Sequence, residues 1–183
     1  MRAHLIITTV VTIAALHTST LQAQQAPNVA ARVALGVAYE RGTFGDDDPR
    51  PHGETGPTIG GQLWKPLSSS KALVFEGTFQ PNALDNPHYE EKVHVLYVQI
   101  GPQFGRRLYF RPTGGFVVRF WSGSESDGGT DGAPSVGLAI GHERAVGTSY
   151  DVSPEFFLRV SAPIAGVTTW LLGLQVAVGP HRR

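Results

Sequence analysis

Residues 149–162, "SYDVSPEFFLRVSA", alternate along their whole length. Tyr150, Val152, Pro154, Phe156, Leu158 and Val160 share one face of an extended chain. Asp151, Ser153, Glu155, Phe157, Arg159 and Ser161 share the other. Oily and charged residues at period two mark a strand with two unlike faces. In a water-soluble sheet the oily face packs on a core and the charges meet solvent. In a barrel that crosses a bilayer the faces trade places, so the oily stripe meets lipid and the charges are enclosed. Fold and compartment both turn on which face is inside.

The composition narrows the choice. The formal net charge of the 183 residues is zero, which excludes the basic footprint of a nucleic-acid binder. Charged residues make up 16%, against roughly 25% in soluble domains. The only lysines are Lys65, Lys71 and Lys92, so little of the chain looks built to face water. The 22 glycines and 13 prolines argue against a helical protein. With no cysteine, disulfides and thiolate metal sites are excluded. The opening "MRAHLIITTVVTIAALHTSTLQAQQAP" sets Arg2 before an apolar run from Leu5 to Leu16 and ends on Leu21-Gln22-Ala23. Residues 1–23 therefore read as a secretory signal peptide and residues 24–183 as one barrel domain. The apolar run is short of the roughly 20 residues a spanning helix needs.

Beyond residue 28 the period-two pattern recurs in eight segments: 29–41, 57–66, 72–80, 92–101, 107–121, 135–144, 149–162 and 167–178. Longer connections at Gly42–Gly56, Pro81–Glu91 and Ser122–Pro134 alternate with tight turns; only "APIAG", residues 162–166, departs by being short on the long-loop side. Long loops at one end and tight turns at the other are the habit of outer-membrane barrels. Pro112 and Pro154 each remove an N–H in mid-strand, so a bulge or a local break is expected at both. A rival parse makes "RPTGG", residues 111–115, a turn.

Three features favour the inverted arrangement. The non-oily face is rich in Gly, Ala and Ser, which suits an eight-stranded lumen just wide enough for side chains to fill. Its charges nearly balance: Arg32, Arg111, Arg119 and Arg159 stand against Glu40, Glu76, Glu143, Asp151 and Glu155. These nine residues form the expected lumen charge network, because an unpaired buried charge costs several kcal/mol. Lastly, the polar residues on the oily face (Arg41, Lys65, His94, His142 and Arg144) fall at strand ends. A charge there costs about 0–1 kcal/mol, against about 2–4 at the bilayer midplane. Tyr39, Phe79, Phe120 and Trp170 would form an outer aromatic girdle, with Phe110 and Tyr150 at the other interface.

These features together resemble the small outer-membrane β-barrels of Gram-negative bacteria, such as the OmpA transmembrane domain and OmpX. The resemblance is architectural and covers Val29 to Val178. The closing "LLGLQVAVGPHRR" keeps a Gly173-x-x-Val176-x-Val178 spacing but has Val where the family has aromatics, and it runs on to Arg183. The resemblance implies an all-β, eight-stranded, antiparallel up-and-down transmembrane barrel. It implies a monomer in contact with outer-membrane lipid and lipopolysaccharide, closed to conduction, with a structural, adhesive or surface-binding role for the outer loops.

Chemistry is harder to place. His52 and Asp46–Asp48, His88 and Asp85, and Ser124 and Asp127 lie in the long connections, outside any strand-borne His-x-Ser arrangement. No catalytic, cofactor-binding or metal residue is expected. "DGGTDG", residues 127–132, departs from a calcium loop at Gly129 and at Leu138, where a bidentate Glu is needed. The alternatives are a lipid A-modifying outer-membrane enzyme and a periplasmic lipocalin-like carrier, which would turn Phe156 and Leu158 inward.

Overall fold

The structure, a computed structural model, describes residues 29–43, 52–86, 91–122, 129–163 and 168–180. The expected signal peptide lies outside them. Nine strand segments follow one another: β1 (Ala30–Thr43), β2 (His52–Pro66), β3 (Lys71–Asn86), β4 (Glu91–Phe104), β5 (Leu108–Ser122), β6 (Gly129–His142), β7 (Arg144–Val146), β8 (Tyr150–Ser161) and β9 (Thr168–Pro180). All pairings are antiparallel, each stave with the next around the ring. β6 and β7 meet β8 on one continuous register, Gly141 opposite Glu155 and Arg144 opposite Val152, so the two act as one stave interrupted at Glu143. β1 pairs with β9 from Val33–Val178 to Thr43–Thr168, and the ring of eight staves closes. Closure leaves no sheet edge, which a strand in hydrocarbon could not tolerate.

The strands run further toward the long-loop end than the side-chain pattern suggests. Gly53–Gly56 extend β2 because their backbones pair with Ala38–Arg41. Gly129–Pro134 extend β6 opposite Phe116–Trp121. Ladder bonds are made by the main chain, so a rigid neighbouring stave carries pairing into segments whose side chains read as loop. This places Gly129–Gly132 of the weighed calcium loop in an extended strand. Lys71–Asn86 likewise extends past Gln80, with a register shift between Gln80 and Leu84.

Both prolines sit in mid-strand without a register shift. Pro112 stays paired with Leu138, while the β4–β5 pairing lapses between Ile100–Gly114 and Phe104–Phe110. Pro154 stays paired with Val176, while the pairing toward β6 and β7 lapses between Gly141–Glu155 and Arg144–Val152. Each proline interrupts one ladder only, the side on which its N–H is missing. Leu108–Ser122 is a single strand, so the "RPTGG" turn does not form.

The faces divide as an inverted barrel requires. Leu35, Val37, Leu63, Phe75, Ile100, Phe116, Leu138, Phe156, Leu174 and Val176 are outward and exposed, while Arg111, Arg159, Glu40 and Glu155 are inward and buried. Phe156 faces out and Leu158 is only half-buried, which overturns the lipocalin-like alternative. Small residues on the inner wall make room for large ones directly across the ladder. Tyr109 lies opposite Gly141, and Phe157 lies opposite Gly173. A Cβ at Gly173 would overlap the Phe157 ring and the Ala38 Cβ. Gly173→Val should therefore lower unfolding stability in detergent by about 1–3 kcal/mol, read as a lower midpoint for loss of the compact band on an unboiled gel.

Candidate functional site

The inward faces of the staves carry buried polar and charged side chains gathered in layers along the tube. Near the tight-turn end, Trp64, Ala72 and Val74 form an apolar floor, and the Arg32 guanidinium lies 5.5 Å from the Trp64 ring centroid. Arg32 also bonds Glu143 at 2.9 Å and Ser153 at 3.2 Å. These partners are 111 and 121 residues away in sequence and are brought together by closure of the ring.

Above that floor sits the densest cluster. Arg159 donates to Glu76 at 2.8 Å, and Arg111 donates to the other oxygen of Glu76 at 2.7 Å. Arg111 also grips both oxygens of Glu155, at 3.2 and 2.9 Å. A planar guanidinium facing a carboxylate in this two-pronged way gives the strongest of the common charge-assisted bonds. Gln175 donates to Glu155 at 2.6 Å, Gln62 at 3.1 Å, and the Tyr109 hydroxyl as well. Two arginines and two glutamates thus cancel in charge at the centre of the tube.

Toward the long-loop end the filling becomes more aromatic. Arg159 lies 4.6 Å from the Phe157 ring centroid and 5.5 Å from that of Tyr97. Tyr97 reaches Glu40 at 3.4 Å and Thr169 at 3.3 Å, and Thr169 meets Ser161 at 2.8 Å. Val95, Val117, Ala133 and Leu171 fill the space between. Nearer the mouth, Arg119 pairs with Asp131 at 3.0 Å.

All nine expected charges are inward and buried. Seven of them (Arg32, Glu143, Glu76, Arg111, Glu155, Arg159 and Arg119) take part in these ion pairs. Sequence reasoning missed Asp131, which sits in a Gly-rich stretch that reads as loop. It also missed the glutamine and tyrosine donors around Glu155. Their inward parity was readable, but their height along the barrel was not.

The residues weighed for catalysis do not form a described site. His52 opens β2 and Asp85 lies in β3. Asp46–Asp48, His88, Ser124 and Asp127 fall outside the described residues. Among the described residues no three His, Asp or Glu side chains converge on a cation site.

No protein-family model and no curated protein matches the chain. Solved structures do. The chain is similar to Ail, the attachment invasion locus protein of Yersinia pestis, solved in complex with the heparin analogue sucrose octasulfate: TM-score 0.56, 9% identity, 84% of this chain and 98% of that one covered. It is also similar to Neisserial surface protein A: TM-score 0.54, 11% identity, 81% and 96% covered. At such identities the likeness concerns the fold. The chain has the fold of the small Gram-negative outer-membrane β-barrels, with an apolar belt that belongs in a bilayer.

Removing one member of a buried ion cluster leaves an uncompensated charge and costs about 3–5 kcal/mol. Glu76 serves two arginines, so Glu76→Ala is expected to lower unfolding stability by that much in urea titrations of the refolded barrel. Arg41→Ala, on the outward face, should change it little.

Proposed function

We propose that this protein stands as a monomer in the outer membrane as a closed, non-enzymatic barrel, a rigid mount for outer loops that contact lipopolysaccharide and a surface ligand. The observation that carries the reading is the Arg159–Glu76–Arg111–Glu155 cluster. It spans the lumen with side chains bonded to one another, and function in barrels filled this way falls to the segments that connect the strands.

The ligand class can be narrowed. Ail binds a polysulfated sugar analogue in its solved complex. Here the long-loop end is acidic by sequence. Asp46, Asp47, Asp48 and Glu54 share residues 42–56 with Arg50 as their only arginine or lysine, and Glu90, Glu91, Glu125 and Asp127 lie in the next two connections. Such loops repel polyanions. They suit a basic or uncharged ligand, or lipopolysaccharide phosphates bridged by divalent cations.

Two measurements test the reading. Expressed cells should yield the protein in the outer-membrane fraction, with a folded band that shifts on boiling; a soluble periplasmic protein would refute it. In planar bilayers the wild-type barrel should pass no steady ion current, while Glu76→Ala combined with Arg111→Ala should admit ions. A wild-type current of porin size would refute the closed lumen.

A further inference from the structure

The tight-turn rim carries charge that the lumen network does not use. Lys65 is the next-to-last residue of β2, Lys71 begins β3, Arg106 and Arg107 lie in the β4–β5 turn, His142 ends β6 and Arg144 begins β7; all six side chains are exposed. They lie on neighbouring staves along one arc. Lys71 is registered with Phe104, Leu108 with His142, and Arg144 with Val152. Two main-chain bonds tie the arc together, from Gly105 to the Ser70 carbonyl at 2.8 Å and from Glu143 to the Arg107 carbonyl at 2.6 Å.

No acidic side chain among the described residues is exposed at this end. The carboxylates present, Glu143 and Asp151, are turned into the lumen and buried. Glu143 is held there by Arg32. The remaining staves β8, β9 and β1 present Tyr150, Val152, Val178 and Ala31 at this level, with no outward charge among the described residues.

Interleaved with the basic arc are exposed apolar side chains: Leu67, Leu108, Phe110, Val146 and Tyr150. Phe110 stacks on Phe104 with ring centroids 5.0 Å apart. Long basic side chains above aliphatic and aromatic anchors match a headgroup layer, with stems in the apolar zone and cations among phosphates. The arc is continuous with the apolar belt, so what covers one covers the other.

We propose that this rim is a binding surface for anionic phospholipid headgroups, gathering such lipids on the β2–β7 side of the barrel. The proposal rests on the membrane-barrel reading and adds the chemistry of the lipid partner. Each basic residue near an anionic headgroup layer favours it by roughly fivefold. Clustering five permanent cations on one arc, with no exposed carboxylate beside them among the described residues, is how a surface selects anionic over zwitterionic lipid.

The test uses the full barrel in phosphatidylcholine vesicles containing phosphatidylglycerol, with spin-labelled forms of each lipid read by electron paramagnetic resonance. Wild type should immobilise phosphatidylglycerol several-fold in preference to phosphatidylcholine, with the preference reduced at about 0.5 M salt, where charges are screened within a few ångström. The combined variant Lys65→Gln, Lys71→Gln, Arg106→Gln, Arg107→Gln and Arg144→Gln should lose the preference while keeping the folded band. Arg41→Gln, at the opposite rim, should keep both. Equal immobilisation of the two lipids by wild type, or a preference that survives the combined variant, overturns the proposal. If wild type immobilises neither lipid, the membrane-barrel reading fails as well.

Discussion

A narrow lumen filled with buried charged side chains must neutralise its own charge, and the bond network centred on Glu155 and Arg111 is how this chain meets that constraint. The guanidinium groups there are buried, so each must find carboxylates at bonding distance. Arg111 finds two, Glu76 and Glu155. The remaining acceptor capacity of Glu155 is taken up by Gln62, Gln175 and Tyr109, which come from three different staves. Once these groups are committed inward, strand alternation sends Phe156, Leu158 and Leu174 outward. The apolar belt is the other side of the same decision.

The size of the tube follows too. Eight staves leave room for one layer of long side chains at a time. Tyr109 and Phe157 occupy that room because Gly141 and Gly173 stand opposite them. The glycine richness that argued against helices is, on the inner wall, space reserved for aromatic and guanidinium groups. The polar filling is layered rather than uniform. Between the central cluster and Arg119–Asp131 lies a collar of Tyr97, Val117 and Leu171, so the arginines also rest against aromatic faces.

The two rims differ in charge, and this fits the division of labour proposed for them. The long-loop end is acidic by sequence, whereas the tight-turn end exposes lysine and arginine on β2 to β7. A barrel so polarised suits the proposals made for its two ends, anionic headgroups at the turns and a basic or uncharged ligand, or cation-bridged phosphates, at the loops. The belt between them is bounded by aromatics at both interfaces: Tyr39, Phe120 and Trp170 toward the loops, and Phe110 and Tyr150 toward the turns.

Face assignment was legible from sequence because it depends only on parity along one strand. Arg32, Glu76, Arg111 and Arg159 could each be placed inside from their immediate neighbours, and strand number and loop asymmetry followed from counting such runs. Partnerships were not legible. That Arg32 meets Glu143, or that Glu76 bridges Arg111 and Arg159, depends on how far each stave is displaced along the axis when the sheet tilts and closes, which is a property of the whole ring. Strand ends escaped as well, since Gly53–Gly56 and Gly129–Gly132 are held by a neighbour's main chain and not by their own side chains. Alternation is a local covalent fact and so belongs to the sequence. Height, pairing and closure are collective facts of hydrogen-bonded staves, and only the tertiary structure decides them.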